Sequence, residues 1–147
     1  MTLNRPDSSV TAVSTRLFLG SAADAERLAN DNPYQIRTVI TLCEGRVKRR
    51  AAAIRYLHFP VRDAEPIPIA LLHAILEAID QAIAEGAVLV HCHAGISKAP
   101  ALMAAFLDQT GSVRFEDAIR ILRKLRPEIT PCPHLIPSIT SEIVYED

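Results

Sequence analysis

A cysteine that follows a short apolar run and precedes a turn and a helix can act as a nucleophile. Here the run is Ala87-Val88-Leu89-Val90-His91, followed by Cys92-His93-Ala94-Gly95-Ile96-Ser97-Lys98. A short, continuous apolar run is the pattern of a central parallel strand. Gly95 falls in the turn, and Ser97 or Lys98 opens an apolar helix through Leu107. Cys92 then stands at the carboxyl end of the sheet, where open α/β sheets bind ligands. Backbone N–H groups of such a turn form a nest for an anion, and the following helix adds its positive N-terminal end. Both favour a thiolate over a thiol at Cys92. A thiolate in a phosphate-sized cup is set for in-line attack on a phosphate monoester.

Other uses of these residues compete with that one. A lone cysteine at the end of an apolar strand packs as core. His91 and His93 beside Cys92 could suggest a metal, but adjacent residues on an extended segment point opposite ways. No metal and no cofactor are expected. A cysteine loop before a helix also suits sulfur transfer, as in rhodanese-like enzymes. A phosphate ester leaves poorly unless a carboxylic acid protonates its oxygen. Asp63 and Glu65 are the carboxylates in the loop before the strand's partner helix.

The elements that would hold this site can be read from pattern. Leu17-Phe18-Leu19-Gly20 reads as a strand ended by glycine, and Ser21 caps a helix from Ala22 to Ala29. Ile36 to Leu42 reads as a buried strand ending at Cys43, followed by the basic stretch Arg46, Lys48, Arg49 and Arg50. Such a stretch is ordinarily a solvated loop. Arg55 to Phe59 alternates as a strand does and is closed by Pro60. Leu72, Ile75, Leu76, Ile79 and Ile83 fall on one stripe of a helix over Ile69 to Ala84, ended by Gly86. Phe115 to Leu125 reads as an amphipathic helix with acidic residues near its start and basic ones near its end, matching the helix dipole. Pro127, Pro131 and Pro133 lead to a last helix near Leu135 to Val144.

This alternation predicts one α/β domain: a central, mostly parallel, twisted sheet of about five strands with helices on both faces. Residues 1–12 are expected to be a flexible arm and residues 13–147 the domain. The 147 residues are enough for a core without staples. Apolar residues are 49% and charged residues 22%, with net charge −1, which gives no whole-protein field for nucleic acid or membrane. Three cysteines, Cys43, Cys92 and Cys132, argue against a disulfide scaffold or zinc site. No signal peptide, membrane span or prenylation box is expected. A monomeric cytoplasmic protein is the expectation, with Cys132 given no role.

His91-Cys92 with Gly95 resembles the His-Cys-x-x-Gly-x-x-Arg signature of the protein tyrosine phosphatase superfamily. More of the chain is similar to its small dual-specificity branch. Leu17-Phe18-Leu19-Gly20-Ser21, Arg37 to Leu42, Tyr56-Leu57-His58-Phe59-Pro60-Val61-Arg62-Asp63 and Leu125-Arg126-Pro127-Glu128-Ile129 carry the likeness, over roughly residues 13–140. The resemblance implies a dual-specificity-phosphatase-like domain that cleaves phosphomonoesters, of phosphotyrosine or phosphoserine/threonine in a protein, or of a small molecule. Cys92 would form a phosphocysteine. Asp63, 29 residues earlier, would be the general acid and then the base, with Glu65 its competitor. The loop His93, Ala94, Gly95, Ile96, Ser97 and Lys98 would bind phosphate, with His91 supporting Cys92 from behind. Phosphatases of regenerating liver have a cysteine at the place of Cys43 that pairs with the nucleophile, so Cys43 is the implied redox partner.

The signature's arginine is Lys98 here, a point charge in place of a planar fork. The usual hydroxyl after it is replaced by Ala99. Losing one charge-assisted hydrogen bond costs roughly 1.5–3 kcal/mol, or about 10- to 150-fold in rate if expressed in the transition state. A slow phosphatase is therefore expected. The alternative is a phosphate-binding pseudophosphatase, weak or inactive as a catalyst.

Overall fold

The computed structural model describes residues 10–111 and 113–143. In chain order the elements are β1 (Thr11–Ala12), β2 (Leu17–Gly20), α1 (Ala22–Arg27), β3 (Ile36–Thr41), β4 (Arg55–His58), α2 (Ile69–Glu85), β5 (Ala87–His91), α3 (Lys98–Gln109), α4 (Phe115–Leu125) and α5 (Ile136–Thr140). One sheet runs in the order β1-β2-β5-β3-β4. All its pairings are parallel except β1 with β2. The last strand in sequence therefore lies at the centre, and Val88, Leu89 and Val90 are fully buried. The register places Gly20 and Thr41 on either side of His91, with His58 beyond Thr41. Strands β2, β5, β3 and β4 thus end in one row, which fixes the floor of the site.

Period-two alternation sorts the side chains between two cores. Leu17, Leu19, Ile40, Leu42, Val88 and Val90 face α2, α3, α4 and α5. Phe18, Ile36, Val39 and Leu89 face the other way. Ile36 and Val39 share a face despite their odd spacing because the β3 pairing with β5 shifts register between Ile36 and Thr38. Helices do cover both faces, but unequally. Among the described residues, the second face is covered by α1, through Ala25 and its C-cap Leu28, and by Val10, Tyr34, Val47 and Ile54 outside the strands and helices.

Element ends differ modestly from the sequence reading. α1 stops at Arg27, not Ala29, and α3 runs on to Gln109. The last helix is a single short piece, Ile136–Thr140, followed by a turn; Val144 lies outside the described residues. The flexible arm over residues 1–12 needs correction at its end. Val10 is buried, and Thr11 and Ala12 pair with Leu19 and Phe18. Backbone groups on the free side of β2 need partners, and this segment supplies them. Residues 1–9 lie outside the described residues.

Candidate active site

The turn after β5 is held by its carbonyls. Ala22 N–H, at the start of α1, donates to the His93 carbonyl at 2.9 Å. The Arg126 Nη2–H donates to the Ala94 carbonyl at 3.1 Å. Thr130 N–H donates to the Ile96 carbonyl at 2.7 Å, and Cys132 N–H to that of Ser97 at 3.4 Å. Each donor comes from outside the loop. In a trans peptide the N–H of the next residue points opposite to the carbonyl. Carbonyls pinned outward therefore turn the N–H groups of Ala94, Gly95, Ser97 and Lys98 inward, toward Cys92. Further along, Ala99 N–H donates to Cys92 Sγ at 3.4 Å.

Gly95 is where the loop needs a glycine. Its φ is +75°, and a Cβ there would lie 2.5 Å from the Gly20 carbonyl oxygen and 2.7 Å from Arg126 Nη2. The position of α1 rests on its own cap: Ser21 Oγ accepts Asp24 N–H at 3.2 Å, and the Asp24 carboxylate accepts Ser21 N–H at 2.9 Å. This reciprocal box leaves Ala22 N–H for the loop.

Cys92 is buried, 3% exposed. Behind it, His91 Nδ1 lies 3.0 Å from the Cys92 carbonyl and Nε2 lies 2.8 Å from Thr41 Oγ1. A carbonyl only accepts, so Nδ1 carries the proton and donates, while Nε2 accepts from the Thr41 hydroxyl. Burial holds the imidazole below its ordinary value and so neutral, which agrees with this tautomer.

A cleft of about 460 Å³ opens over Cys92 and is lined also by Cys43, Glu44, Asp63, His93 and Lys98. Asp63 reaches it because the chain beyond β4 keeps to the β3 edge. Phe59 N–H donates to the Thr41 carbonyl at 2.9 Å and Val61 N–H to that of Leu42 at 2.8 Å. Ala64 follows in a left-handed conformation, φ +57°. Glu65 does not line this cleft; it pairs with Arg62 at 3.8 Å on the surface. Lys98 Nζ is 2.7 Å from Asp63 Oδ1, so its charge lies on the carboxylate. The hydrogen bond and charge of Lys98 hold the Asp63 carboxyl below its ordinary value. The pairing favours the carboxylate form of Asp63 over the acid form.

Cys43 shares the cleft. Its S–H donates to the Gly45 carbonyl at 3.6 Å, and His58 Nε2–H donates to the Cys43 carbonyl at 2.8 Å. Burial, with the Cys92 charge adding to it, pushes the Cys43 thiol up.

The structure thus brings Cys92, Asp63, Lys98, His93 and Cys43 to one cleft and puts His91 behind it. Sequence reasoning missed Arg126, Thr130 and the Cys132 N–H as braces. Arg126 is 4% exposed; its Nη1–H also donates to Thr11 Oγ1 at 3.1 Å. The one signal was its place in the Leu125-Arg126-Pro127 segment, where periodicity is silent.

A family model described as "Dual specificity phosphatase, catalytic domain" matches residues 17–142. "Dual specificity protein phosphatase 12" of Mus musculus is 36% identical over 117 residues, covering 76% of this chain and 34% of that protein. "Dual specificity protein phosphatase Mpk3" of Drosophila melanogaster is 28% identical over 143 residues, covering 94% of this chain and 34% of that protein. The chain spans about a third of the length of these two relatives. Among solved structures, human DUSP28 superposes with a TM-score of 0.75 at 28% identity, covering 90% of this chain and 93% of that one.

Proposed function

The chain belongs to the dual-specificity phosphatase catalytic-domain family, and from that premise we propose that it hydrolyses phosphomonoesters through a phosphocysteine on Cys92. The Cys92 thiolate attacks phosphorus while the ester P–O bond breaks and Asp63 gives its proton to the leaving oxygen. Asp63 then takes a proton from water, which attacks phosphorus, breaks the S–P bond and releases inorganic phosphate. The observation that carries this reading is the set of four carbonyls pinned outward, which aims the loop amides at the phosphoryl oxygens as charge builds there. Lys98 adds one positive charge. Phosphorylated protein or a small phosphomonoester is the substrate class.

One observation favours a second reading. Lys98 is engaged with Asp63, so both groups begin the cycle committed to each other. On that reading the cup binds phosphate and turns over little, as a pseudophosphatase. Steady-state hydrolysis of an aryl phosphate by wild type, Cys92→Ser, Asp63→Asn and Lys98→Arg separates the two. Wild-type turnover abolished by Cys92→Ser supports the enzyme. Turnover seen only in Lys98→Arg supports the pseudophosphatase. Turnover unchanged in Cys92→Ser overturns the phosphocysteine, and thiocyanate formation from thiosulfate and cyanide would move the protein to sulfur transfer.

Cys43 is proposed as the resolving thiol. A peroxide oxidises Cys92 to the sulfenic acid, releasing water. The Cys43 thiol then displaces a second water and forms the disulfide. Peptide mapping after mild peroxide should find Cys43 joined to Cys92, and oxidised Cys92 without the pair would remove Cys43 from this role.

A further inference from the structure

Segment 46–50 holds four of the chain's 16 Lys and Arg residues, Arg46, Lys48, Arg49 and Arg50, in a protein of net charge −1. The same segment leaves the cleft directly, since Cys43 and Glu44 line it beside Cys92. Its backbone is tied down from Val47 onward. The Glu26 carboxylate on α1 accepts Lys48 N–H at 2.9 Å and Arg49 N–H at 2.8 Å. Val47 is buried in the core of the second face. Arg50 Nε–H donates to the Val47 carbonyl at 3.0 Å, and its guanidinium lies 5.1 Å over the Tyr56 ring. Tyr56 Oη in turn accepts Ala51 N–H at 2.9 Å. All four cations are exposed, but the Arg50 guanidinium is already engaged by its own loop, which leaves Arg46, Lys48 and Arg49 facing solvent. A fixed backbone carrying exposed cations loses little entropy when an anion binds.

We propose that Arg46, Lys48 and Arg49 form a second anion subsite, and that the preferred substrate is a phosphorylated polypeptide segment with further acidic or phosphorylated residues a few positions from the scissile phosphate. Arg46 is two residues from Glu44, so its Cα lies within about 7 Å of the cleft lining, and the row to Arg49 spans up to roughly 10 Å more. An extended peptide covers that distance even at its longest. The subsite also answers the weakness at Lys98. Binding energy from a remote group can be used to hold the reacting phosphate in place. The proposal rests on the phosphatase reading of the cleft.

The test compares a phosphopeptide flanked by three glutamates with the same peptide flanked by glutamines, and an aryl phosphate, on wild type and on Arg46→Gln/Lys48→Gln/Arg49→Gln. Glu26 binds backbone N–H groups, which these substitutions keep. Three exposed ion pairs, each worth about 1.4- to fivefold, should raise kcat/KM for the acidic peptide by about three- to 100-fold at low salt. That preference should vanish in the triple variant and shrink with ionic strength, while aryl phosphate turnover stays unchanged. Equal kcat/KM on the two peptides, or a preference that survives in the triple variant, overturns the subsite. A small bisphosphate favoured over the acidic peptide overturns the assignment to a polypeptide. If wild type turns over nothing, the phosphatase reading fails by itself. The affinities of Cys92→Ser for the same two peptides then decide the subsite, and equal affinities refute it.

Discussion

On the proposed mechanism, Lys98 and Asp63 set the pH behaviour of the site. Asp63 donates a proton only when protonated, so kcat/KM must fall on the alkaline side as it ionises. Lys98 holds the Asp63 carboxyl low, which moves that falling limb to lower pH. In a pH–rate profile on an aryl phosphate, the limb should therefore shift to higher pH in Lys98→Gln, whatever the absolute rate. Asp63→Asn should remove it and lower kcat by about 10²- to 10⁴-fold. Lys98→Arg should raise kcat/KM by roughly 10- to 150-fold by restoring a bidentate grip. His91 is depressed too, by burial, and bears on stability. Its folded value is depressed, so the unfolded chain binds more protons below about pH 6.5. Stability from the neutral imidazole is present above that pH and lost as pH falls through the folded value. Urea midpoints should drop on acidification in wild type and drop less in His91→Gln. That Cys92, Gly95 and Lys98 would share one turn was legible from the sequence alone, because a cysteine, a glycine and a lysine at fixed spacing are local information. That Lys98 would lie on Asp63 was not, since it depends on where a loop 35 residues earlier comes to rest.

At the level of elements, the phosphate loop is a piece of backbone braced from three directions: α1, Arg126 at the end of α4, and the Thr130–Cys132 segment. Arg126→Lys keeps the charge but cannot span both the Ala94 carbonyl and Thr11. A lost hydrogen bond to a charged group costs roughly 1.5–3 kcal/mol, so thermal unfolding should come earlier and affinity for inorganic phosphate should weaken. Gly95→Ala meets both a left-handed backbone and the Gly20 carbonyl. It should abolish phosphate binding, measured by titration calorimetry, while circular dichroism still reports a folded sheet. Strand and helix positions were readable because burial imposes periods of two and 3.6 on the sequence. The braces were not, because a carbonyl acceptor leaves no mark on the side chain that bears it. β1 was missed for the same reason: two residues that pair only through backbone carry no pattern.

For the whole molecule, the sheet's two faces are covered unequally, with four helices over one and α1 with loops over the other. Pattern reading gave helices on both faces but could not say how many, since each helix's apolar stripe shows that it is buried and not against which face. The thin face is the one that carries Glu26, Val47 and the basic segment, so the proposed anion subsite would lie on the less thickly covered side and the proposed chemistry on the row of strand ends.

The order β1-β2-β5-β3-β4 has a consequence for how the chain is made. On a ribosome β2, β3 and β4 emerge before β5, the strand that lies between β2 and β3. Until residues 87–91 are out, the facing edges of β2 and β3 have no native partner, and a direct pairing between them would have to open again. Strand edges left waiting in this way are sites of misassembly. The 92–98 loop follows the strand that ends the wait, and its braces at Arg126, Thr130 and Cys132 emerge later still, so the cup cannot be completed before the sheet can close.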